Sequence, residues 1–290
     1  MNKNVVITGV STGIGYQLCV DLISKDYFVF GSVRKLEDGQ RLSKELGSNF
    51  LPLYFDINDK EAIEKAALIV EKRLMGGTLS GLFNNAGLAM AGPLLELSIL
   101  DLKYQFDINV IGLMRVTQVF SGLLGASSQS KGTPGRIVMI SSINGKIAMP
   151  FLGAYCASKF ALEGLSQSLR TELNIYGIKL IVIGPGPIKT PIFDKTISKA
   201  TRTFKDSPYQ EAMNTFLNKF VLKTIKNAMT TEVLSHRIVK IFESTAPKNH
   251  YIITKHHFLN YTLPQWLSID FLNSFFVKTL GLKKNRRYKY

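Results

Sequence analysis

Val5-Val6-Ile7-Thr8-Gly9-Val10-Ser11-Thr12-Gly13-Ile14-Gly15, near the start of a 290-residue chain, is the stretch whose reading decides the fold. An apolar, β-branched run ends in a glycine loop, and Leu18, Leu22 and Ile23 follow at helical spacing. Glycines at such a place let the backbone turn tightly and approach a pyrophosphate, whose charge meets the free amides of a helix N-terminus. The spacing is Gly-x-x-x-Gly-x-Gly and departs from the commoner Gly-x-Gly-x-x-Gly. Taken alone, the stretch fits a nucleotide loop or a plain glycine turn.

Outward from this loop, short apolar runs recur at Phe28 to Val33, Phe50 to Phe55, Gly81 to Asn84, Arg136 to Ser141, Lys179 to Ile183 and Tyr251 to Thr254. Longer stretches with helical spacing lie between most of them, for example Ala62, Ala66, Ile69, Val70 and Leu74. That alternation predicts a parallel sheet wrapped by helices. Ser98 with Asp101 predicts a capped helix start leading through Leu102 to Leu124, and Thr231-Glu232 opens another helix through Phe242. Residues 187 to 230 break the rhythm and carry Pro187, Pro191 and Pro208, as an insertion over an active site would. With no internal repeat, low-complexity tract or linker, residues 1 to 290 read as a single domain.

The second strand bears on which nucleotide is bound. An NAD preference places Asp or Glu about 20 residues after the glycines, on the ribose hydroxyls. Here Val29-Phe30-Gly31-Ser32-Val33 leads into Arg34-Lys35, with no acid at the strand end. A carboxylate would repel a 2′-phosphate, whereas the forked, permanently charged Arg34 would hold one, so NADP(H) is favoured over NAD(H). The other reading is that both cations keep a strand end soluble.

Between Arg136 and Thr171 the sequence reads as strand, polar loop and helix, with Ser141-Ser142 closing the strand and Tyr155-Cys156-Ala157-Ser158-Lys159 opening the helix. Four residues apart, Tyr155 and Lys159 share one helix face. Such a pair is weak evidence by itself. In its context the chain resembles the short-chain dehydrogenase/reductase family over most of its length. The matches run in order: Thr8 to Gly15; Asp56; Asn84-Asn85-Ala86-Gly87; Asn109; Ser142; Tyr155 with Lys159; and Pro185-Gly186 followed by Thr190.

The resemblance implies an α/β fold, a Rossmann-like doubly wound parallel sheet of about seven strands with helices on both faces. It implies alcohol–carbonyl interconversion with Asn109, Ser142, Tyr155 and Lys159 as the catalytic set. Free tyrosine has a pKa of about 10, and nearby cations, Lys159 and the positive nicotinamide ring of the oxidised cofactor, would both stabilise the phenolate. Tyr155 would exchange a proton with the substrate oxygen, Ser142 would hydrogen-bond that oxygen, and Asn109 would hold a water linking Lys159 to solvent. The cofactor would be held by Thr8, Gly9, Ser11, Gly13, Ile14, Gly15, Arg34, Asp56, Asn84, Ala86, Pro185, Gly186, Ile188 and Thr190, together with Tyr155 and Lys159. Asn109 otherwise reads as a buried amide, Ser142 as a strand-end cap, Asn84 as a residue shaping the sheet edge, and Asp56 as a turn residue ahead of Asn58.

Within the family, Tyr155 to Gly164 and Ser142-Ile143-Asn144-Gly145 look most like the hydroxysteroid and retinol dehydrogenase branch, which acts on lipophilic alcohols and ketones. A 3-oxoacyl-type reductase is an alternative, as is a catalytically silent NADP(H)-binding regulatory protein. The family commonly pairs through its long helices, which makes a homodimer or homotetramer the expectation.

Charge is unevenly placed. Residues 1 to 194 hold 19 Lys and Arg against 16 Asp and Glu, whereas residues 195 to 290 hold 17 against 5. In the basic third, Thr262-Leu263-Pro264 predicts a helix start, with Trp266, Leu267, Phe271, Phe275 and Phe276 on one side and Ser268, Asn273 and Ser274 opposite. Lys283-Lys284-Asn285-Arg286-Arg287-Tyr288-Lys289-Tyr290 follows. This amphipathic and basic extension, near 262 to 290, lies on an anionic membrane surface, or else packs over the substrate cleft or makes a dimer contact. It lacks the aromatic platform of a specific nucleic-acid binder. Cys19 and Cys156, both on expected helices, form no disulfide framework, and His236, His250, His256 and His257 lack metal-ligand spacing. The N-terminus has no room for a signal peptide, so a cytoplasmic location is expected, with a membrane surface open to it.

Overall fold

The computed structural model describes residues 3–127 and 132–282. The basic stretch 283–290 singled out above lies outside the described residues. Seven strands form one sheet in the order β3-β2-β1-β4-β5-β6-β7. They are β1 (Asn4–Ile7), β2 (Phe28–Val33), β3 (Phe50–Tyr54), β4 (Gly81–Asn84), β5 (Arg136–Ile140), β6 (Lys179–Pro185) and β7 (His250–Ile253). Every pairing is parallel, as in Ile7 opposite Gly31 on one side and Phe83 on the other. The sheet is the Rossmann-like doubly wound arrangement expected. All seven runs read from the sequence are strands, with β6 extended because Gly184 and Pro185 pair with Ile252 and Ile253.

Helices α1 (Gly13–Ile23), α2 (Leu36–Leu46) and α3 (Lys60–Leu74) follow the first three strands. After β4 come α4 (Ile99–Phe106) and α5 (Leu113–Phe120), and α6 (Gly153–Glu172) joins β5 to β6. Side chains alternate across each strand, so both faces bury apolar surface. Val5 and Ile7 pack with Leu18 and Leu22 of α1 on one face, and Val6 packs with Ile63, Leu113 and Leu162 on the other. The chain order reverses between β1 and β4, and the crevice beyond the strand C-termini at that switch point is where such sheets take their ligands.

Ser98 caps α4 as expected, its hydroxyl accepting the Asp101 amide at 3.0 Å. The single helix expected through Leu124 is interrupted by a π-helical stretch, Asp107–Gly112, that contains Asn109. Wider turns of this kind re-aim backbone groups and are frequent at functional sites.

Residues 187 to 230 form α7 (Pro191–Thr203), α8 (Gln210–Phe216), a π-helical stretch Leu217–Leu222 and α9 (Lys223–Lys226). Next, α10 (Thr231–Glu243) packs beside α1 and leads to β7. The amphipathic segment departs from its sequence reading. It divides into α11 (Leu263–Trp266) and α12 (Ile269–Leu280), because Leu267 is extended and the Ser268 hydroxyl accepts the Phe271 amide at 3.1 Å. Ser268 is thus a cap between two helices, not part of one polar face. A third apolar cluster joins these elements, with Phe151, Phe204, Phe216 and Leu280 at its centre. No helix among the described residues is long and apolar enough to cross a membrane.

Candidate active site

The glycine loop is fixed from three strand ends. The Thr8 hydroxyl accepts the amides of Asn85 and Ala86, both at 2.9 Å, and the Asn85 side chain donates to the carbonyls of Thr8 and Gly9 at 2.9 and 3.0 Å. Ser32 on β2 accepts the Gly9 amide at 2.9 Å. Gly9 has φ +70°, where a side chain is strained, and a Cβ on Gly15 would stand 2.3 Å from the Gly9 carbonyl oxygen. Thr12 begins α1 without any side-chain capping bond, so the amides of Gly13, Ile14 and Gly15 face the crevice unclaimed by a cap. An anion such as a pyrophosphate fits this loop. Ser11, also expected at the cofactor, has its carbonyl held at 2.8 Å by Arg41 from α2, a support that the sequence reading did not include.

Arg34 follows β2 with its side chain 69% exposed, 3.7 Å from the Asp56 carboxylate. A weak exposed pair of this kind leaves the guanidinium open to a 2′-phosphate. Asp56 also accepts the Asn58 amide at 2.9 Å, the turn role that the sequence had left open for it.

Asn84 does not face the nucleotide crevice. It is fully buried and donates to Thr117 on α5 at 2.7 Å. Alternation along β4 accounts for this, since Asn84 shares the face of Leu82, which packs toward α5. The neighbouring Asn85 lines the cavity instead. It was quoted in the motif but not carried into the candidate site, although counting outward from Leu82 distinguishes the two.

Beyond the C-termini of the strands lies a cavity of about 610 Å³. Ile14, Ser142, Tyr155, Lys159, Pro185, Gly186, Ile188 and Thr190 all line it, so residues distant in sequence converge as expected. Tyr155 and Lys159 share one face of α6, with the Lys159 ammonium 5.9 Å from the Tyr155 ring centroid. The same ammonium donates to the Ile140 carbonyl at 2.8 Å, which ties α6 to the end of β5. Ser142 accepts the Asn144 amide at 3.1 Å, as a strand-end cap would, and its hydroxyl also reaches Tyr155.

Burial acts on both groups in the same sense, against charge. It pushes the Tyr155 phenol up to about 12, partly countered by the Ser142 hydrogen bond, so the phenol holds its proton. It pulls the Lys159 ammonium down to about 8, opposed by the charge of Glu163 one turn further along α6. The phenolate stabilisation expected from Lys159 together with the oxidised nicotinamide is therefore not supplied by the protein groups alone. Glu163 is itself buried and bound by His250 of β7 at 3.1 Å, with Lys146 at 3.7 Å. Burial raises its carboxyl, but the hydrogen bond and charge of His250 and the charge of Lys146 outweigh that and hold it below the usual range. Glu163 and His250 were not among the expected site residues. They are 87 positions apart, and only the i, i+4 spacing of Glu163 from Lys159 signalled a link.

Asn109 is fully buried, and its amide closes a local ring. Oδ1 accepts the Leu88 amide at 2.9 Å, while Nδ2 donates to the Leu88 carbonyl at 2.9 Å and to Ser158 at 3.0 Å. Both ends of the Asn109 amide are thus engaged within the fold, which is the buried-amide reading the sequence had left open.

Among the described lining residues Lys159 is the only charged one. Met149, Leu152, Phe216, Phe220, Leu267 and Phe276 also line the cavity, so much of its wall is apolar.

A family model described as short chain dehydrogenase matches residues 3–201. The NADPH-dependent 3-dehydrocapnine reductase of Ornithobacterium rhinotracheale is 38% identical over 248 residues, 86% of this chain and 87% of that protein. Human 17-beta-hydroxysteroid dehydrogenase type 1 is 33% identical over 202 residues, 67% of this chain and 59% of that protein. Among solved structures, ElxO with NADP bound superposes with a TM-score of 0.70 at 25% identity, covering 89% of this chain and 99% of that one.

Proposed function

The chain belongs to the short-chain dehydrogenase/reductase family, and we propose from that premise that it is an NADP(H)-dependent oxidoreductase reducing the carbonyl of a lipophilic, lipid-like substrate to an alcohol. The single observation that carries this reading is Tyr155 beside Ser142 on the wall of a cavity whose described lining holds no charge but Lys159. The cofactor similarities of the 3-dehydrocapnine reductase and of ElxO support NADP(H), as does Arg34 at the end of β2.

When bound, NADPH would supply the hydride for the carbonyl carbon and leave as NADP+. Ser142 donates a hydrogen bond to the carbonyl oxygen and orients it beside Tyr155. The Tyr155 hydroxyl gives its proton to that oxygen as negative charge develops there, and Lys159 stabilises the phenolate left behind. A donor with a pKa of about 12 is fully protonated at neutral pH, the form that reduction needs. Reprotonation of Tyr155 would run inward from the π-helical turn at Asn109 past Lys159. The amides of Gly13 to Gly15 would hold the pyrophosphate, and Pro185, Gly186, Ile188 and Thr190 would flank the nicotinamide end.

A catalytically silent binding protein has no chemical use for Asn109, Ser142, Tyr155 and Lys159 together. The basic stretch after α12 supports peripheral contact with a membrane, and the apolar wall fits a 3-oxoacyl, steroid or retinoid ketone better than a small aldehyde. Tyr155→Phe is expected to lower NADPH-linked turnover on such ketones by about 10²-fold or more while NADPH affinity changes little. Turnover retained in that variant removes Tyr155 from the chemistry.

A further inference from the structure

Three large apolar side chains that line the cavity also face solvent: Leu259 at 59%, Phe271 at 55% and Phe275 at 45% exposure. They mark its mouth. Around them, without touching the cavity, stand Phe258, Trp266 and Ile269, exposed at 53%, 74% and 85%. The Phe258 and Trp266 rings pack edge to face at 5.9 Å, so the outer rim is ordered although it is bare. Inward, Phe275, Phe276, Phe220 and Phe216 follow one another at centroid distances of 5.5 to 5.9 Å, an aromatic wall continuous from the surface to the third apolar cluster. Contiguous apolar surface of this kind marks a binding face, and its charge says what it binds.

The wall segment Leu217–Lys226 presents Lys219, Lys223 and Lys226, all exposed, and contains no acid. The rim segment 255–282 adds exposed Lys255 and Lys278 against Asp270 alone. Five further cations follow in 283–290. Aromatics ringed by lysines suit the interface of an anionic bilayer, where rings enter the headgroup layer and ammonium groups meet phosphates. A second copy of the same chain would bring like charge to this face.

We propose that the rim formed by Phe258, Trp266, Ile269 and the exposed edges of Leu259, Phe271 and Phe275 docks on an anionic lipid bilayer with the cavity mouth against it. The contact rests on the lipophilic-substrate reading for its use, since a lipid-like ketone would then pass from bilayer to Tyr155 without crossing water. No residue of the proton chemistry takes part in the contact.

The test uses the full chain and vesicles of phosphatidylcholine with and without phosphatidylglycerol. Wild-type protein is expected to co-sediment with the anionic vesicles and to release as salt rises. Replacing Phe258, Trp266 and Ile269 together by Ser is expected to weaken that binding about tenfold or more, with circular dichroism and sedimentation velocity unchanged. Replacing Lys219, Lys223 and Lys226 by Gln is expected to weaken binding to the anionic vesicles and to leave neutral ones unaffected. Wild-type protein that ignores anionic vesicles, or a triple Ser variant that binds them as wild type does, overturns the proposal. So does a fall in oligomeric mass in that variant, which would assign the rim to a second copy. Docking is read without turnover, so an absence of NADPH oxidation on lipid-like ketones tells against the functional reading alone.

Discussion

At Tyr155 and Lys159 the fold withdraws water from two groups that ionise in opposite senses, and each responds by favouring its neutral form. The consequence for stability has a definite sign. Lys159 titrates at about 8 in the folded chain against an ordinary 10.5, so between those values the unfolded chain binds a proton that the folded chain has released. Stability contributed at this position therefore rises with pH across that window. The unfolding free energy of wild type minus that of Lys159→Met is expected to increase by roughly 2–3 kcal/mol from about pH 7 to about pH 10, measured by urea unfolding. A flat difference would show that Lys159 keeps its ordinary pKa. Arg34 makes a second prediction at this scale. Its 3.7 Å pairing with Asp56 is weak, so the guanidinium is free for a 2′-phosphate. Arg34→Asp is expected to lower the NADPH-to-NADH ratio of kcat/KM by about tenfold to a hundredfold, as loss of a charged hydrogen bond would. An unchanged ratio removes Arg34 from cofactor choice.

Among the elements, α12 starts on a single side chain, the Ser268 hydroxyl that caps it directly after the extended Leu267. Ser268→Ala is expected to cost about 1 kcal/mol locally. Faster amide exchange at the start of α12 and a higher KM for lipophilic ketones, with kcat little altered, would register it. The sequence disclosed the strands well, since β-branched runs such as Phe28–Val33 and Gly81–Asn84 have no competing period. It disclosed the break at Ser268 poorly, because a serine on a polar face and a serine at a cap look alike until the backbone is seen. The π-helical turn at Asn109 leaves no mark on the apolar spacing either. In the site, Tyr155, Lys159 and Ser142 were legible through their order along the chain. Glu163 with His250 was not, because their contact exists only once β7 has added to β6. Asn84 and Asn85 differ in role because one residue along a strand reverses the face.

For the molecule as a whole, the apolar length of the cavity sets an expectation that no single residue carries. A series of straight-chain methyl ketones is expected to show kcat/KM rising with chain length, by up to about fourfold per methylene while new groups still enter the cavity. Steady kinetics with NADPH would reveal the rise and the length at which it stops; a profile flat from the shortest ketone would mean that the apolar wall is not used. The division of labour behind this is plain in the chain. Ser142, Tyr155, Lys159 and the glycine loop all precede Thr190, while most of the aromatic wall, Phe216, Phe220, Phe271, Phe275 and Phe276, comes after it, with Met149 and Leu152 the apolar contribution from the earlier part. A designer could accordingly treat the helices on either side of β7 as exchangeable. Libraries at Phe216, Phe220, Leu267, Phe271, Phe275 and Phe276, with His250 left in place on Glu163, are expected to shift substrate preference while Ser142, Tyr155 and Lys159 are inherited unchanged.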